Sequence, residues 1–236
     1  MKIPQGYSTY REENTTIIYK DKRKDLLEKI PRQGQIGKPS HLKGRNEIYI
    51  LDDIVIRNLT HGGMLRGITK DLFLSPKRSM RELAVSTYLR SRDISTPEIV
   101  AIRYVRKRIF ISISVLSRLV PDSTDLMTYL ETKRTDAGDL FEKTGELARK
   151  IHDAGVFHAD LHIKNILLDA ALNPWALDLD KARKFKYMPY ALKWLNLKRF
   201  FRSCRKWEKK GKIMLPSNWQ KKFMQGYFGE EVRIRG

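Results

Sequence analysis

Val156-Phe157-His158-Ala159-Asp160-Leu161-His162-Ile163-Lys164-Asn165-Ile166-Leu167-Leu168-Asp169 is the stretch on which the reading of this chain turns. An amphipathic segment from about Ala137 to His152 precedes it, with Leu140, Phe141, Thr144, Leu147, Ala148 and Ile151 recurring on one helical face. Apolar Ile166-Leu167-Leu168 follows as a short strand, and Trp175-Ala176-Leu177-Asp178-Leu179-Asp180 reads as a second apolar strand. Asp160 therefore sits on a loop between a helix and a strand, a setting that aims a side chain out of the core. Asn165 comes five positions after it, and Asp178 lies 13 positions beyond Asn165.

A carboxylate, an amide and a second carboxylate at these intervals resemble a kinase catalytic loop, H-R-D-x-x-x-x-N, with its metal aspartate downstream. Phosphoryl transfer from a nucleotide asks a protein chiefly to position reactants and neutralise phosphate charge. On this reading Asp160 is the catalytic carboxylate that receives the acceptor hydroxyl's proton. Asn165 and Asp178 are oxygen ligands of the hard type that Mg²⁺ prefers, and ATP is the donor. Asp180, two positions on and expected to point the same way if the strand continues, is a further candidate for the metal shell or the substrate. His158 is expected to orient the loop through hydrogen bonds. A rival reading gathers His158, Asp160 and His162 into a metal cluster, because alternate strand residues share a face. It lacks a further His or Cys at motif spacing and leaves Asn165 and Asp178 without a role.

Working outward, Glu47 to Arg57 reads as two short strands about an Asp52-Asp53 turn. Helical spacing starts near Ser79 and stops at Arg92-Asp93, ahead of Pro97. Two Ile- and Val-rich strands follow, Glu98 to Tyr104 and Arg108 to Leu116, then a Pro121-Asp122-Ser123-Thr124-Asp125 loop that caps a helix from Asp125 to Thr132. The order is that of a small β-rich lobe followed by a helical one: residues 1–40 as a basic, irregular lead-in, 41–118 as the first lobe, 119–236 as the second. The nucleotide half is read from less. No G-x-G-x-x-G loop or strand lysine is present; Lys43-Gly44-Arg45 is all the sequence offers as a glycine loop, so Gly44 is the candidate phosphate contact. Arg57 stands where a strand lysine would, and Glu82 on the following helix is its expected partner, a guanidinium able to touch phosphates while paired to a carboxylate. An ordinary surface ion pair would use the same two residues.

The chain carries 47 Lys and Arg against 27 Asp and Glu, a formal charge of +20 that calls for an anionic partner: nucleic acid, an anionic membrane or a phosphorylated substrate. A lone Cys204 excludes an internal disulfide and fits a reducing compartment. Met1-Lys2-Ile3-Pro4 opens no signal peptide and no stretch approaches the roughly 20 apolar residues of a membrane span, so any membrane association is expected to be peripheral.

These residues, with Arg57-Asn58-Leu59-Thr60-His61-Gly62-Gly63-Met64-Leu65 and Asn196-Leu197-Lys198-Arg199-Phe200-Phe201-Arg202-Ser203, resemble the lipopolysaccharide kinases of the Kdo kinase type over roughly residues 40 to 228. The resemblance implies an α+β, protein-kinase-like bilobal fold with a small antiparallel β-rich N-lobe and a shortened helical C-lobe. It implies transfer of phosphate from ATP to the Kdo sugar of Kdo-lipid A at the cytoplasmic face of the bacterial inner membrane. It supports Arg57, since the family's strand commonly ends in Leu-Arg. The chain departs from the family where Asp178-Leu179-Asp180-Lys181 stands for the usual Asp-Phe-Asp-Arg, and where His61 precedes the two glycines in place of a basic residue.

After Asp180 only 56 residues remain, without an Ala-Pro-Glu segment, too few for the peptide-holding part of a common protein kinase. Residues 183 to 212 hold twelve Lys or Arg and one acid, Glu208. On a helix, Lys198, Arg202, Arg205 and Lys209 form one stripe, and Trp194, Leu197, Phe201, Cys204 and Trp207 another. This suits a helix that packs its apolar side and offers its cations to an anionic membrane surface, or a solvated basic face over ordinary packing. The alternative function is a compact atypical protein kinase with an RNA or membrane partner; aromatic stacking motifs for single strands are absent, so nucleic acid is not expected. A pseudokinase or lipid-binding module is opposed by the intact Asp160, Asn165 and Asp178.

Overall fold

Alternating apolar residues build the first of two units. In a computed structural model that describes residues 2–39, 48–60, 72–132 and 138–229, the units comprise residues 1–87 with 98–119, and residues 88–97 with 120–236. The first unit carries an antiparallel sheet of β1 (Tyr7–Glu12), β2 (Thr15–Lys20), β3 (Lys38–Pro39), β4 (Ile48–Leu51), β5 (Ile54–Asn58), β6 (Ile99–Lys107) and β7 (Phe110–Arg118), ordered β1-β2-β6-β7-β5-β4-β3. The Asp52-Asp53 turn expected between β4 and β5 is present, with Asp52 in the left-handed region at φ 52°. Short polar residues tolerate that conformation best after glycine.

The reading of residues 1–40 as an irregular lead-in is corrected. Tyr7–Glu12 and Thr15–Lys20 form a hairpin whose second strand pairs with β6 from Thr15↔Val105 to Tyr19↔Ala101. The segment beyond it, including a short helix α1 (Leu26–Lys29), packs Leu26, Ile30 and Ile36 against Ile17, Ile54, Ile56, Val100 and Leu116 on one sheet face. Its apolar residues are few and widely spaced between charges, which hides the pattern. Arg103 secures the segment: its guanidinium donates to the carbonyls of Pro31 (2.9 Å) and Gly34 (2.8 Å), and burial pulls its pKa down from the ordinary arginine value. The opposite face is covered by Met80 and Leu83 of helix α2 (Lys77–Arg90), packed with Ile18, Ile99, Ile102, Tyr104 and Ile113. β6 is therefore buried on both faces, which is why it reads as a nearly unbroken apolar run.

The second unit is mainly helical: α3 (Leu126–Thr132), α4 (Gly138–Asp153), α5 (Tyr190–Lys209) and α6 (Trp219–Phe228), with short strands β8 (Thr124–Asp125), β9 (Val156–Phe157), β10 (Ile166–Leu168), β11 (Pro174–Ala176) and β12 (Arg183–Lys184). Asp125 caps α3 as expected, its carboxylate accepting from the Thr128 N–H at 3.1 Å. α4 and α6 approach through paired glycines: a Cβ on Gly145 would strike the Phe223 carbonyl, and one on Gly226 the Glu142 carbonyl. Phe141, Phe200, Phe201, Trp219 and Phe223 fill the space around this crossing with tilted, edge-on and stacked ring contacts. No described helix is long and apolar enough to cross a membrane.

A buried polar network ties three of these helices. His152 of α4 accepts the Tyr227 hydroxyl of α6 at Nδ1 (2.8 Å) and donates from Nε2 to the Asn196 side-chain oxygen of α5 (3.1 Å). Burial, the largest cause, brings the His152 pKa down to about 4 from 6.5.

Two expectations follow. Gly226→Ala should separate α4 from α6 and cost about 2 kcal/mol or more, read as a lower urea midpoint. His152 stays neutral in the folded chain but is protonated below about pH 6.5 when unfolded. Stability is then full above about 6.5 and falls as pH drops toward 4, by on the order of 3 kcal/mol at the limit. Urea midpoints between pH 7 and 4.5 should show this fall, and His152→Phe should flatten it.

Candidate active site

β9 delivers the chain to the loop, and Gly155 makes the entry possible. Gly155 lies at φ 75°, and a Cβ there would meet the backbone carbonyl of Phe185, a residue whose N–H donates to the Gly155 oxygen at 2.8 Å. Beyond it, the His158 backbone is gripped at both ends by Asn196: the amide oxygen accepts the His158 N–H (3.1 Å) and the amide nitrogen donates to the His158 carbonyl (2.9 Å). His158 and Asn196 are both fully buried. The His158 ring donates from Nε2 to the Leu177 carbonyl (2.8 Å) and accepts the Asp160 N–H at Nδ1 (3.3 Å). Burial depresses its pKa, consistent with one donor and one acceptor on a neutral ring. Both ring nitrogens are thus used inside the fold, which rules out the reading of His158, Asp160 and His162 as a metal cluster.

Asn165 closes the other side of the same loop. Its side-chain nitrogen donates to the Asp160 carbonyl (2.9 Å), and its backbone carbonyl accepts the Leu177 N–H (2.9 Å). Leu177 is therefore clamped by Asn165 at its N–H and by His158 at its carbonyl, which fixes Asp178 beside the loop. The expectation that Asp178 lies on a strand is corrected: β11 ends at Ala176, and Asp178 takes a left-handed conformation at φ 58°. The strand does not continue, so Asp180, which is buried, is not placed on the same face by alternation. With its nitrogen committed to Asp160, Asn165 has its amide oxygen as the remaining side-chain donor to a cation, and Asp178 adds a carboxylate. Two hard oxygen donors on one backbone-tied segment fit Mg²⁺.

Asp160 itself is flanked by cations. Lys181 Nζ stands 3.2 Å from Oδ2, and Arg199 Nη1 stands 3.2 Å from Oδ1 while also donating to the Ala159 carbonyl. In the first unit, Arg57 of β5 and Glu82 of α2 form the expected ion pair, the carboxylate buried. Gly44, with His61, Gly62 and Gly63, lies outside the described residues.

Three contributors stand in the sequence only as part of the stretch that carries the family resemblance, with no role attached: Asn196, Arg199 and Ser203, whose hydroxyl accepts the Ile163 N–H at 3.0 Å. The signal available was a polar residue on the inner face of α5. The expected apolar stripe of Trp194, Leu197, Phe201, Cys204 and Trp207 is rotated: the buried residues are Asn196, Leu197, Phe200 and Cys204. Burial pushes the Cys204 thiol pKa upward. The basic stripe, Lys198, Arg202, Arg205 and Lys209, is exposed as expected.

The family described as lipopolysaccharide kinase (Kdo/WaaP) matches residues 40–227. A 3-deoxy-D-manno-octulosonic acid kinase of Vibrio parahaemolyticus is 32% identical over 155 residues, 64% of either chain. One from Photobacterium damsela is 30% identical over 71% of each, and one from Xanthomonas euvesicatoria is 30% identical over 73% of this chain and 72% of that one. The match to the Vibrio protein thus spans less than two thirds of its length. Among solved structures, one titled "WaaP in complex with acyl carrier protein" superposes with a TM-score of 0.56 at 17% identity, covering 84% of this chain and 80% of that one. That likeness shows the fold, α+β and protein-kinase-like, and the family match over most of the sequence shows the rest: the chain belongs to the lipopolysaccharide kinase (Kdo/WaaP) family.

Proposed function

We propose that this chain phosphorylates the Kdo sugar of Kdo-lipid A with ATP, in building the inner core of lipopolysaccharide. The observation that carries the proposal is the clamp on Leu177. By tying Asn165 and His158 to one residue, it links the loop that carries Asp160 and Asn165 to the turn that carries Asp178. Family membership and the kinase activity for which the relatives are named support the same reading.

In the proposed reaction an acceptor hydroxyl attacks the γ-phosphorus of ATP. The new P–O bond forms as the bond to the bridging oxygen breaks, and its electron pair leaves with ADP. Asp160 accepts the hydroxyl proton, with His158 orienting its backbone and Arg199 and Lys181 orienting its carboxylate. Asn165 and Asp178 would hold Mg²⁺, which when bound neutralises charge on the phosphates. Arg57, kept in place by Glu82, supplies a cation for the phosphates where other kinases use lysine.

The exposed face of α5 is proposed to meet an anionic bilayer at the cytoplasmic side of the inner membrane. Lys198, Arg202, Arg205 and Lys209 line it. Tyr187, Tyr190 and Leu195 are exposed at its start, an amphipathic aromatic set suited to a headgroup region.

Radiolabelled ATP, offered with Kdo-lipid A, with lipid A lacking Kdo and with a generic protein acceptor, should label the first alone. Asp160→Asn should lower that rate by about a hundredfold or more while leaving the urea midpoint near wild type. Label on the protein acceptor alone would sink the proposal. For the surface, replacing Lys198, Arg202, Arg205 and Lys209 by Gln should release the protein from phosphatidylglycerol vesicles in sedimentation. Each cation contributes on the order of 1 kcal/mol there, and raised salt should mimic the substitution.

A further inference from the structure

Asp160 holds more positive charge than its own neutralisation requires. Arg199, fixed to the Ala159 carbonyl, already balances the carboxylate at Oδ1. Lys181 adds a second cation at Oδ2 from the turn that follows Asp178. Its side chain is 54% exposed against 20% for Asp160. Its ammonium carries three donors, and the contact with Asp160 engages one of them. An ammonium is a compact point charge on a flexible stem and can touch two carboxylates at once while offsetting their charge, which a neutral donor does not do.

The acceptor in the proposed reaction is a sugar acid, and the following rests on that reading. Such an acceptor brings its own carboxylate to a segment already bearing Asp160, Asp178 and Asp180. Like charges brought together within a few ångströms repel, so productive docking needs a cation that touches both the incoming group and Asp160. We propose that Lys181, backed by Arg199, is the carboxylate-binding site for the acceptor: the sugar's carboxylate docks on the Lys181 ammonium and so brings its hydroxyl to Asp160. An acceptor without a carboxylate would gain nothing from Lys181. In this assignment Lys181 determines specificity, and Arg199 positions Asp160.

The test compares Kdo-lipid A with its carboxyl methyl ester, using the full chain and its Lys181→Gln and Lys181→Arg variants, with kcat and KM measured separately. Esterification should lower wild-type kcat/KM about tenfold, mostly through KM, a coupling in the range of contacting pairs. Lys181→Gln should lose a similar factor on the free acid and show little further loss on the ester, while Lys181→Arg should restore the discrimination. Equal losses on both acceptors in Lys181→Gln, or a wild-type enzyme indifferent to esterification, would overturn the assignment while leaving the proposed reaction standing. Phosphorylation of neither acceptor by wild type would overturn the reaction and the assignment with it.

Discussion

The pairing of the Asn196 side chain with the peptide groups of His158 is the constraint on which the second unit's chemistry depends. A primary amide has the same donor and acceptor as a peptide group, so Asn196 can satisfy the N–H and C=O of one buried residue that no strand reaches. Its oxygen also takes the His152 Nε2–H, so α4, α5 and the loop share one acceptor. Leaving such groups unpaired in a dry interior costs about 1–3 kcal/mol each. With the His158 backbone held, its ring can face only Leu177 and Asp160, and the positions of Asp178 and the Asp160 backbone follow.

Charge is divided in a comparable way. Beneath the overall excess of cations, two buried acids of the first unit each meet a cation from another element: Glu82 meets Arg57, and Glu98 meets Lys20. Truncating one member of such a pair would strand the other in low dielectric, which costs more than the pair contributes. Among the described residues, Lys198, Arg202, Arg205 and Lys209 on the outward face of α5 form no such ion pair. That separation gives the helix two faces, one packed against the loop and one exposed with its cations.

Much of this was legible in the sequence because the relevant signals are local. The β4–β5 hairpin, the α2 and α4 helices and the Asp125 cap follow from alternation, helical period and side-chain capping, each of which acts over a few residues. The loop residues were legible through spacing, because the five positions from Asp160 to Asn165 span one fixed turn. What was not legible depends on distant partners. The hairpin at Tyr7–Lys20 gains its place from β6, more than eighty residues later, and its charged setting masks the alternation. Asn196 reads as an ordinary polar helix residue until His158 is seen beneath it. The α5 stripe was rotated in the reading because large aromatics weigh heavily in an apolar count. Trp207 instead lies only partly buried, with Lys164 4.2 Å over its ring.

Asp178 shows how backbone and function can select the same residue. A left-handed conformation costs a typical L-residue about 1–2 kcal/mol, and only glycine, asparagine and aspartate enter it readily. The residue next to the clamped Leu177 lies in that region. Glycine and asparagine are thus the substitutions at 178 with least backbone strain, and neither carries the negative charge. Glutamate, the usual conservative exchange for an aspartate in the proposed metal-binding role, is disfavoured twice, by reach and by conformation. Drift at this position would then run toward Asn or Gly, losing the charge while preserving the fold, so an inactive homologue could keep this architecture intact.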